Sequence, residues 1–248
     1  MISTKPTNLN PSRSAATHGI TLLLSAVLLT ACASAPPPPD WQANAHAALK
    51  GFSAAYLSGN TRLADHEFGR ARLEIASTGR ADLLARAELT RCAVRVASLE
   101  FDDCAAYQPF ATEAAPAEQA YAAFLSGRWT GLDPALLPAQ HRALVLQAAN
   151  ANVADRPARP APAASVLSAM EDPLARLVAA GVLLQTKRLT AADMALATET
   201  ASAQGWRRPL LAWLGLQRQQ ATEAGDLTAA TRLQRRIDLV LQALPKNR

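Results

Sequence analysis

The chain contains little material for β-structure. Of its 248 residues only 13 are Val or Ile and 5% are aromatic, although strands are built mainly from β-branched and aromatic residues. By contrast, the sequence has 56 Ala and 36 Leu residues, which are among the strongest helix formers. Half of the residues are hydrophobic, which suffices for a sizeable core. The composition therefore predicts an all-α fold and excludes a β-sandwich, a barrel or a large parallel sheet.

The sequence also lacks the spacings that mark common catalytic and metal sites. It has no Cys-x-x-Cys, no His-Glu-x-x-His, and no pair among His46, His66 and His141 at metal-ligand spacing. A serine-hydrolase elbow, a phosphate-binding glycine loop and a dinucleotide fingerprint are absent too. We therefore expect no metal, no cofactor and no enzymatic activity, although catalytic groups that converge from distant positions would escape this search.

Residues 1–31 have the pattern of an export signal. Lys5 and Arg13 precede the apolar run Gly19–Leu29, and no acidic residue occurs in this part of the chain. The run has about a dozen residues, whereas a helix needs roughly 20 to cross the hydrocarbon core of a bilayer. The pattern therefore predicts a signal peptide and not a permanent membrane-spanning anchor.

The end of this segment, Leu29-Thr30-Ala31-Cys32, resembles the lipobox of bacterial lipoproteins. The resemblance implies a diacylglycerol on the Cys32 thiol, cleavage before Cys32 and acylation of the new amino terminus, which together anchor the protein stably. Ala33 follows the cysteine, and by the same resemblance this implies the outer membrane. The alternative is an ordinary secretory signal in which Cys32 is incidental.

Nucleic acid is a poor candidate partner for an exported protein.

The rest of the chain is predicted to comprise a tether and two helical lobes. Residues 32–40 include four consecutive prolines, which favour a short polyproline II spacer. Residues 41–150 are expected to form the first lobe and residues 164–248 the second. The proline-rich and alanine-rich segment 151–163 is expected to link them.

Sequence signals also mark helix ends. Gly59-Asn60 and Gly79 are expected to end the first two helices, near residues 58 and 77. Helix starts are predicted at residues with capping side chains: Asp133, Asp172, Thr190 and Asp226.

An internal repeat points to a helical solenoid. The segment Ala54–Gly59, with sequence AAYLSG, reappears as AAFLSG at Ala122–Gly127, an offset of 68 residues or two periods of 34. After Gly59 come Ala64, Phe68 and Ala71, and this spacing resembles the second helix of the tetratricopeptide repeat, a helix-turn-helix unit of 34 residues. The resemblance covers residues 45–78 and weakens afterwards. It implies stacked antiparallel helical hairpins, and a chance similarity between alanine-rich segments is the alternative.

Cys92 and Cys104 are predicted to form a disulfide. If the third helix ends near Ser98 and the chain returns as an antiparallel helix, each cysteine lies six residues from the turn and the two reach the same level. The periplasm favours oxidation. The alternative is two reduced, buried thiols that pack as small core residues.

The C-terminal end is basic. Residues 205–248 carry a net charge of +5, whereas residues 32–204 carry −2. This end is a candidate surface for anionic lipid headgroups, lipopolysaccharide phosphates or an acidic protein; alternatively, it is an ordinary solvated helical face. The arginines proposed to bind a partner are Arg207, Arg208, Arg232, Arg235 and Arg236.

These features together suggest an outer-membrane lipoprotein that faces the periplasm and acts as a protein-protein interaction scaffold or adaptor in the cell envelope. Two alternatives stay open. One is an envelope enzyme acting on peptidoglycan through a dispersed active site, which would need a carboxylate of raised pKa in a deep cleft. The other is a carrier of an apolar ligand, which would need a large uncharged pocket.

The lipobox resemblance is tested by replacing Cys32. The Cys32→Ser variant is expected to lose globomycin-sensitive processing and membrane retention, because the thiol that accepts the diacylglycerol is gone. Detergent-phase partitioning of the variant and of the parent protein measures this. Equal partitioning of the two proteins would contradict lipidation at Cys32.

Overall fold

A computed structural model of the chain describes residues 39–129, 131–153 and 164–243, and all regular secondary structure in these ranges is helical. This confirms the all-α prediction. Two short 3-10 segments lie at Ala105–Phe110 and Pro134–Leu136. The α-helices are α1 (Asp40–Leu57), α2 (Thr61–Ala76), α3 (Ala81–Ala97), α4 (Pro116–Leu125), α5 (Ala139–Val153), α6 (Ala164–Ala169), α7 (Pro173–Gln185), α8 (Ala191–Ala203), α9 (Arg207–Glu223) and α10 (Leu227–Gln242).

Capping side chains begin several helices at the predicted positions. The Asp172 carboxylate accepts a hydrogen bond from the Ala175 backbone N–H, and the Asp226 carboxylate accepts one from Ala229. Before α8, the side chains of Thr190 and Asp193 each accept a hydrogen bond from the other's backbone N–H, which completes a capping box. These local bonds explain why the sequence predicted the helix starts well.

One predicted helix start is only partly correct. Asp133 caps the single 3-10 turn at Pro134–Leu136, and α5 begins later, at Ala139. The reason lies in Leu137, which adopts an extended conformation before Pro138. A proline disfavours the helical region for the residue before it, so the turn cannot continue into a helix.

The hairpin of α1 and α2 contains the residues that resemble a tetratricopeptide repeat. Gly59 turns the chain with a φ of +86°, and Ala64 and Ala71 are completely buried against α1. Phe68 lies between them and packs on Phe52, with the ring centroids 4.9 Å apart. One period later the chain does not turn, because Ala93 lies inside α3. Helical hairpins are therefore present, and the 34-residue spacing does not continue as a regular series of turns.

Helix α3 is buried on several sides and is shared by two hydrophobic clusters. Ala87 and Val94 pack into the cluster formed with α1 and α2. Leu89 and Val96 belong to a larger cluster with α4, α7, α8 and α9. Because α3 contacts helices of both clusters, it lies in the centre of the described domain.

The predicted division into lobes at 41–150 and 164–248 is corrected by this shared core. Helix α7 packs directly on α3, and Trp213 of α9 is completely buried and donates a hydrogen bond from Nε1 to the Ala97 carbonyl. The described residues from Asp40 onward thus form one compact unit. Of the predicted linker, residues 151–153 end α5 and residues 154–163 lie outside the described ranges. The signal peptide, Cys32 and most of the tether lie outside them as well.

The contact between α3 and α7 requires a glycine. A Cβ atom at Gly181 would lie 2.4 Å from the Val96 carbonyl oxygen and 2.9 Å from Val96 Cγ1. Both distances are shorter than van der Waals contact, and a backbone carbonyl cannot rotate away as a side chain can. Gly181 therefore sets how closely the two central helices approach.

Replacing Gly181 with Ala is expected to destabilise the fold by about 1–3 kcal/mol or more, because the extra methyl group forces the two helices apart. The matched control is Gly69→Ala within α2, where a Cβ atom would meet no atom within 4 Å. This control is expected to be neutral or to stabilise the fold by up to about 1 kcal/mol. Urea unfolding followed by circular dichroism measures both variants. Equal midpoints for Gly181→Ala and the parent protein would contradict the tight-contact argument.

Candidate functional site

An open apolar cleft lies between α3, α4 and the segment 134–138. Its volume is about 390 Å³, which is at the lower end of the range for ligand pockets. The charged side chains in its lining are Arg86 and Glu118, and Thr90 and Tyr121 each carry a hydroxyl group. The apolar lining is formed by Leu89, Ala117, Tyr121, Leu136, Leu137 and Pro138.

Helical spacing brings these side chains together. The α3 residues lie at i, i+3 and i+4, and the α4 residues are similarly spaced, so each helix turns one face to the cleft. Helix α4 begins with Pro116 at its first position, which suits a helix start. The third wall comes from the 3-10 turn at Pro134–Leu136, which the Asp133 carboxylate holds by accepting a hydrogen bond from the Ala135 N–H at 2.9 Å.

An ion pair between α3 and α4 borders the cleft. Arg86 donates from Nε at 2.9 Å and from Nη2 at 2.5 Å, in both cases to Oε1 of Glu118. The Glu118 side chain is only 12% exposed, whereas that of Arg86 is 66% exposed. The other oxygen of Glu118, Oε2, is buried and has no hydrogen-bond partner among the described residues. Burial and this nearby carboxylate raise the pKa of Tyr107.

Behind the cleft lies a cluster of aromatic rings around His141. The His141 ring stacks on Phe124, with centroids 4.7 Å apart, and on Tyr121, with centroids 5.9 Å apart. Burial lowers the pKa of His141 to about 4, and the Asp172 carboxylate opposes that shift. The imidazole is therefore neutral at pH 7 and serves as a packing group beneath Tyr121, which lines the cleft.

No sequence motif marks this cleft. Its residues come from three separate segments between Arg86 and Pro138, and within each segment they read as an ordinary apolar helix face or turn. The ion pair joins residues 32 positions apart. Only packing of the helices reveals the site, because no segment has a motif of its own.

The disulfide between Cys92 and Cys104 is present, as predicted, with Cα atoms 5.3 Å apart. The geometry expected for it is wrong, however. Cys104 does not lie in an antiparallel helix; it precedes the 3-10 segment with a φ of +54°. Leu99 and Asp103 also have positive φ values, so the chain folds back to α3 through a tight loop instead of a helical turn.

A carboxylate of raised pKa exists, but little space adjoins it. Glu88 on α3 is buried and pairs with Arg72 at 3.0 Å and with Arg91 at 3.3 Å. Burial raises the pKa of Glu88 more than the two arginines lower it. The adjoining cavity measures about 10 Å³, which is about the size needed for one water molecule. A polysaccharide chain does not fit there, so Glu88 does not have the surroundings required by the peptidoglycan-enzyme alternative.

Two of the five predicted partner-binding arginines are engaged within the domain. Arg207 donates to the carbonyls of Ser58 and Ala243, and so binds the C-terminal ends of α1 and α10. Arg208 donates to the Tyr56 carbonyl at 2.8 Å, and its guanidinium lies 4.1 Å from the centroid of the Tyr56 ring. Because cations near helix C-termini are favourable, these two arginines hold the start of α9 against the end of α1.

The other three arginines lie on α10. Arg232 and Arg235 are exposed, and neither has a side-chain hydrogen bond or an ion pair among the described residues. Arg236 is half-buried and pairs with Glu199 of α8 at 3.2 Å. The five predicted residues therefore do not form one surface. Arg207 and Arg208 stabilise the fold, Arg232 and Arg235 face the solvent, and Arg236 is paired with α8.

Comparison of the chain with protein-family models, with curated proteins and with solved structures gave no match. Within the described part of the chain, no group of His, Cys, Asp and Glu side chains is arranged to hold a metal ion. None of the described helices is long and apolar enough to span a bilayer.

The buried His141 predicts a specific pH dependence. The unfolded chain takes up a proton near pH 6.5, whereas folded His141 does so near pH 4. The stability contributed by neutral His141 is therefore complete above pH 6.5 and is lost as the pH falls to 4, by up to about 3 kcal/mol. The variant His141→Phe, which cannot titrate, is expected to lose less stability across this window. Chemical unfolding at several pH values measures the difference.

His46→Phe is the control, because His46 is exposed on α1. Its unfolding free energy is expected to follow the pH dependence of the parent protein. If His141→Phe and the parent lost the same amount of stability between pH 6.5 and 4, the assignment to His141 would be wrong.

Proposed function

We propose that this chain is a lipid-anchored protein of the bacterial envelope whose helical domain binds an apolar segment of a partner protein. The observation that carries the proposal is the cleft between α3 and α4, whose lining is apolar except for the Arg86–Glu118 pair and the hydroxyl groups of Thr90 and Tyr121. Sites that anchor a partner protein typically combine a buried apolar pocket with a polar rim.

The cleft suits a side chain that enters from outside. Leu89 and Leu137 are almost completely buried, whereas Leu136 is 38% exposed. An apolar side chain from a partner would rest on the two buried leucines, cover the exposed part of Leu136 and bury its own surface, at about 25 cal/mol per Å² removed from water. Leu or Phe are the residues expected at this anchor position.

The Arg86 side chain gives the partner a polar contact. Its Nε and Nη2 are held by Glu118, and Nη1 has no hydrogen-bond partner among the described residues. Because the guanidinium is fixed by the ion pair, it loses little conformational freedom when it donates a further hydrogen bond. We infer that Nη1 donates to a backbone carbonyl or a carboxylate of the partner segment, next to the anchor side chain.

The location in the envelope is supported by independent features. The amino-terminal pattern resembles a lipoprotein signal, with Cys32 as the lipidated residue. The disulfide between Cys92 and Cys104 is typical of an oxidising compartment. The hairpin of α1 and α2 resembles a tetratricopeptide unit, and helical repeats of that kind commonly act by binding other proteins.

A carrier of an apolar molecule is the second candidate, since the same lining would suit a small apolar ligand. Partner binding and ligand transport predict occupants of different molecular mass in the cleft. An occupant of protein mass supports partner binding, whereas an occupant of lipid mass would support the carrier function.

Photo-crosslinking in cells tests the proposal. Benzoylphenylalanine in place of Leu136 places a reactive group at the cleft, and the same residue in place of Leu73 is the control, because Leu73 is 74% exposed on α2 and lies outside the cleft. A protein adduct is expected at position 136 and not at position 73. Mass spectrometry of the crosslinked peptide is expected to identify an apolar residue at the point of attachment.

A second variant separates cleft binding from chance proximity. Ala117 is exposed and lines the cleft, so Ala117→Trp is expected to fill the cleft without disturbing the core, and to abolish the adduct at position 136. An adduct that persists in this variant, or adducts of equal yield at positions 73 and 136, would contradict the proposal.

A further inference from the structure

Helix α10 has two different faces. Its inner face packs on α9 through half-buried apolar side chains, and none of its residues is fully buried. The opposite side follows helical spacing and is exposed to solvent. We call it the α10 outer face; it consists of Thr228, Arg232, Arg235, Leu239 and Gln242.

The α10 outer face carries two cations and borders one anion. Arg232 and Arg235 lie on the face, and the exposed Asp238 lies beside it, three residues after Arg235, and accepts a hydrogen bond from Gln234 at 2.8 Å. Neither arginine is neutralised by an ion pair within the described residues, and Arg236 on the neighbouring side is paired with Glu199. The face therefore presents two uncompensated guanidinium groups to whatever lies opposite.

An exposed apolar side chain follows the two arginines on the same face. Leu239 lies four residues after Arg235 and seven after Arg232, which puts all three on one side of the helix. Its side chain is 65% exposed, and no described residue covers it. Helices that rest on a lipid surface typically combine arginine or lysine side chains with leucine side chains.

We propose that the α10 outer face binds the anionic surface of a membrane through the phosphate groups of its lipids. The guanidinium forks of Arg232 and Arg235 suit phosphate oxygens, and Leu239 suits the boundary between headgroups and acyl chains. A membrane fits better than an acidic protein because the face is the exposed, convex side of a single helix, which suits a broad surface better than the side chains of a folded partner.

This inference does not depend on the proposed cleft. The α10 outer face and the cleft lie on different helices and share no residue, so loss of one contact leaves the other intact. For a protein held by lipid at Cys32, the contact would turn the C-terminal helix toward the headgroups and provide a second point of attachment to the membrane.

Arginine footprinting on vesicles tests the proposal. The full-length protein is reconstituted into vesicles of phosphatidylcholine alone or of phosphatidylcholine mixed with phosphatidylglycerol. The rate at which phenylglyoxal modifies each arginine is then read by mass spectrometry. Each basic residue near an anionic membrane surface raises the affinity of a protein for that surface about fivefold. Arg232 and Arg235 are therefore expected to react severalfold more slowly on phosphatidylglycerol vesicles in low salt, and protection is expected to disappear in high salt.

Matched variants identify the face as the cause. Arg235→Glu is expected to remove most of the protection of Arg232. Arg128→Glu changes the net charge equally at an exposed position after α4, and is expected to leave the protection unchanged. Arg62, exposed on α2, is the reference whose modification rate is the same on both vesicle types. Circular dichroism confirms that each variant remains helical.

Three results would overturn the proposal. The first is equal modification of Arg232 on both vesicle types. The second is protection that resists both high salt and Arg235→Glu. The third is protection of Arg232 in native membranes but not on phosphatidylglycerol vesicles, which would assign the α10 outer face to an acidic protein instead of a lipid surface.

Discussion

The close contact between α3 and α7 is the constraint on which the rest of the domain depends. Because Gly181 has no side chain, the backbone of α7 can lie against the Val96 carbonyl. Helix α7 packs in turn on α8, and α8 packs on α9, whose Trp213 reaches back to the Ala97 carbonyl of α3. The tight approach and the Trp213 contact thus join the two parts of the chain that the proline-rich segment would otherwise separate.

Different sides of helix α3 make different contacts. It packs on the first hairpin through small side chains, holds the disulfide at Cys92, and keeps the buried Glu88 between two arginines. Burying a carboxylate costs free energy that its ion pairs only partly recover, which explains why Glu88 has two cationic partners. The remaining side of α3 forms one wall of the cleft. Stability and the proposed binding site therefore share the same central helix.

The arginines of the C-terminal part show how tertiary contacts change the interpretation of charge. In the sequence, Arg207 and Arg208 look equivalent to Arg232 and Arg235. In the folded protein the first two bind backbone carbonyls at helix ends and close α9 onto α1, while the other two stay exposed. Charge composition identified the basic end. Only the folded structure shows which arginines bind groups within the domain and which are exposed and available to a partner.

The sequence alone determined the all-α class and most helix boundaries, and it favoured a disulfide between Cys92 and Cys104 over two reduced thiols. A capping residue such as Thr190 bonds within three residues of itself, so its effect depends on near neighbours that the sequence displays. Only the tertiary structure decided three other features: the packing of the two predicted lobes into one unit, the positive φ at Cys104, and the cleft that brings Arg86 and Glu118 together. These depend on how surfaces distant along the chain fit together, and shape complementarity between helices is a property of the packed backbone that no local pattern of residues encodes.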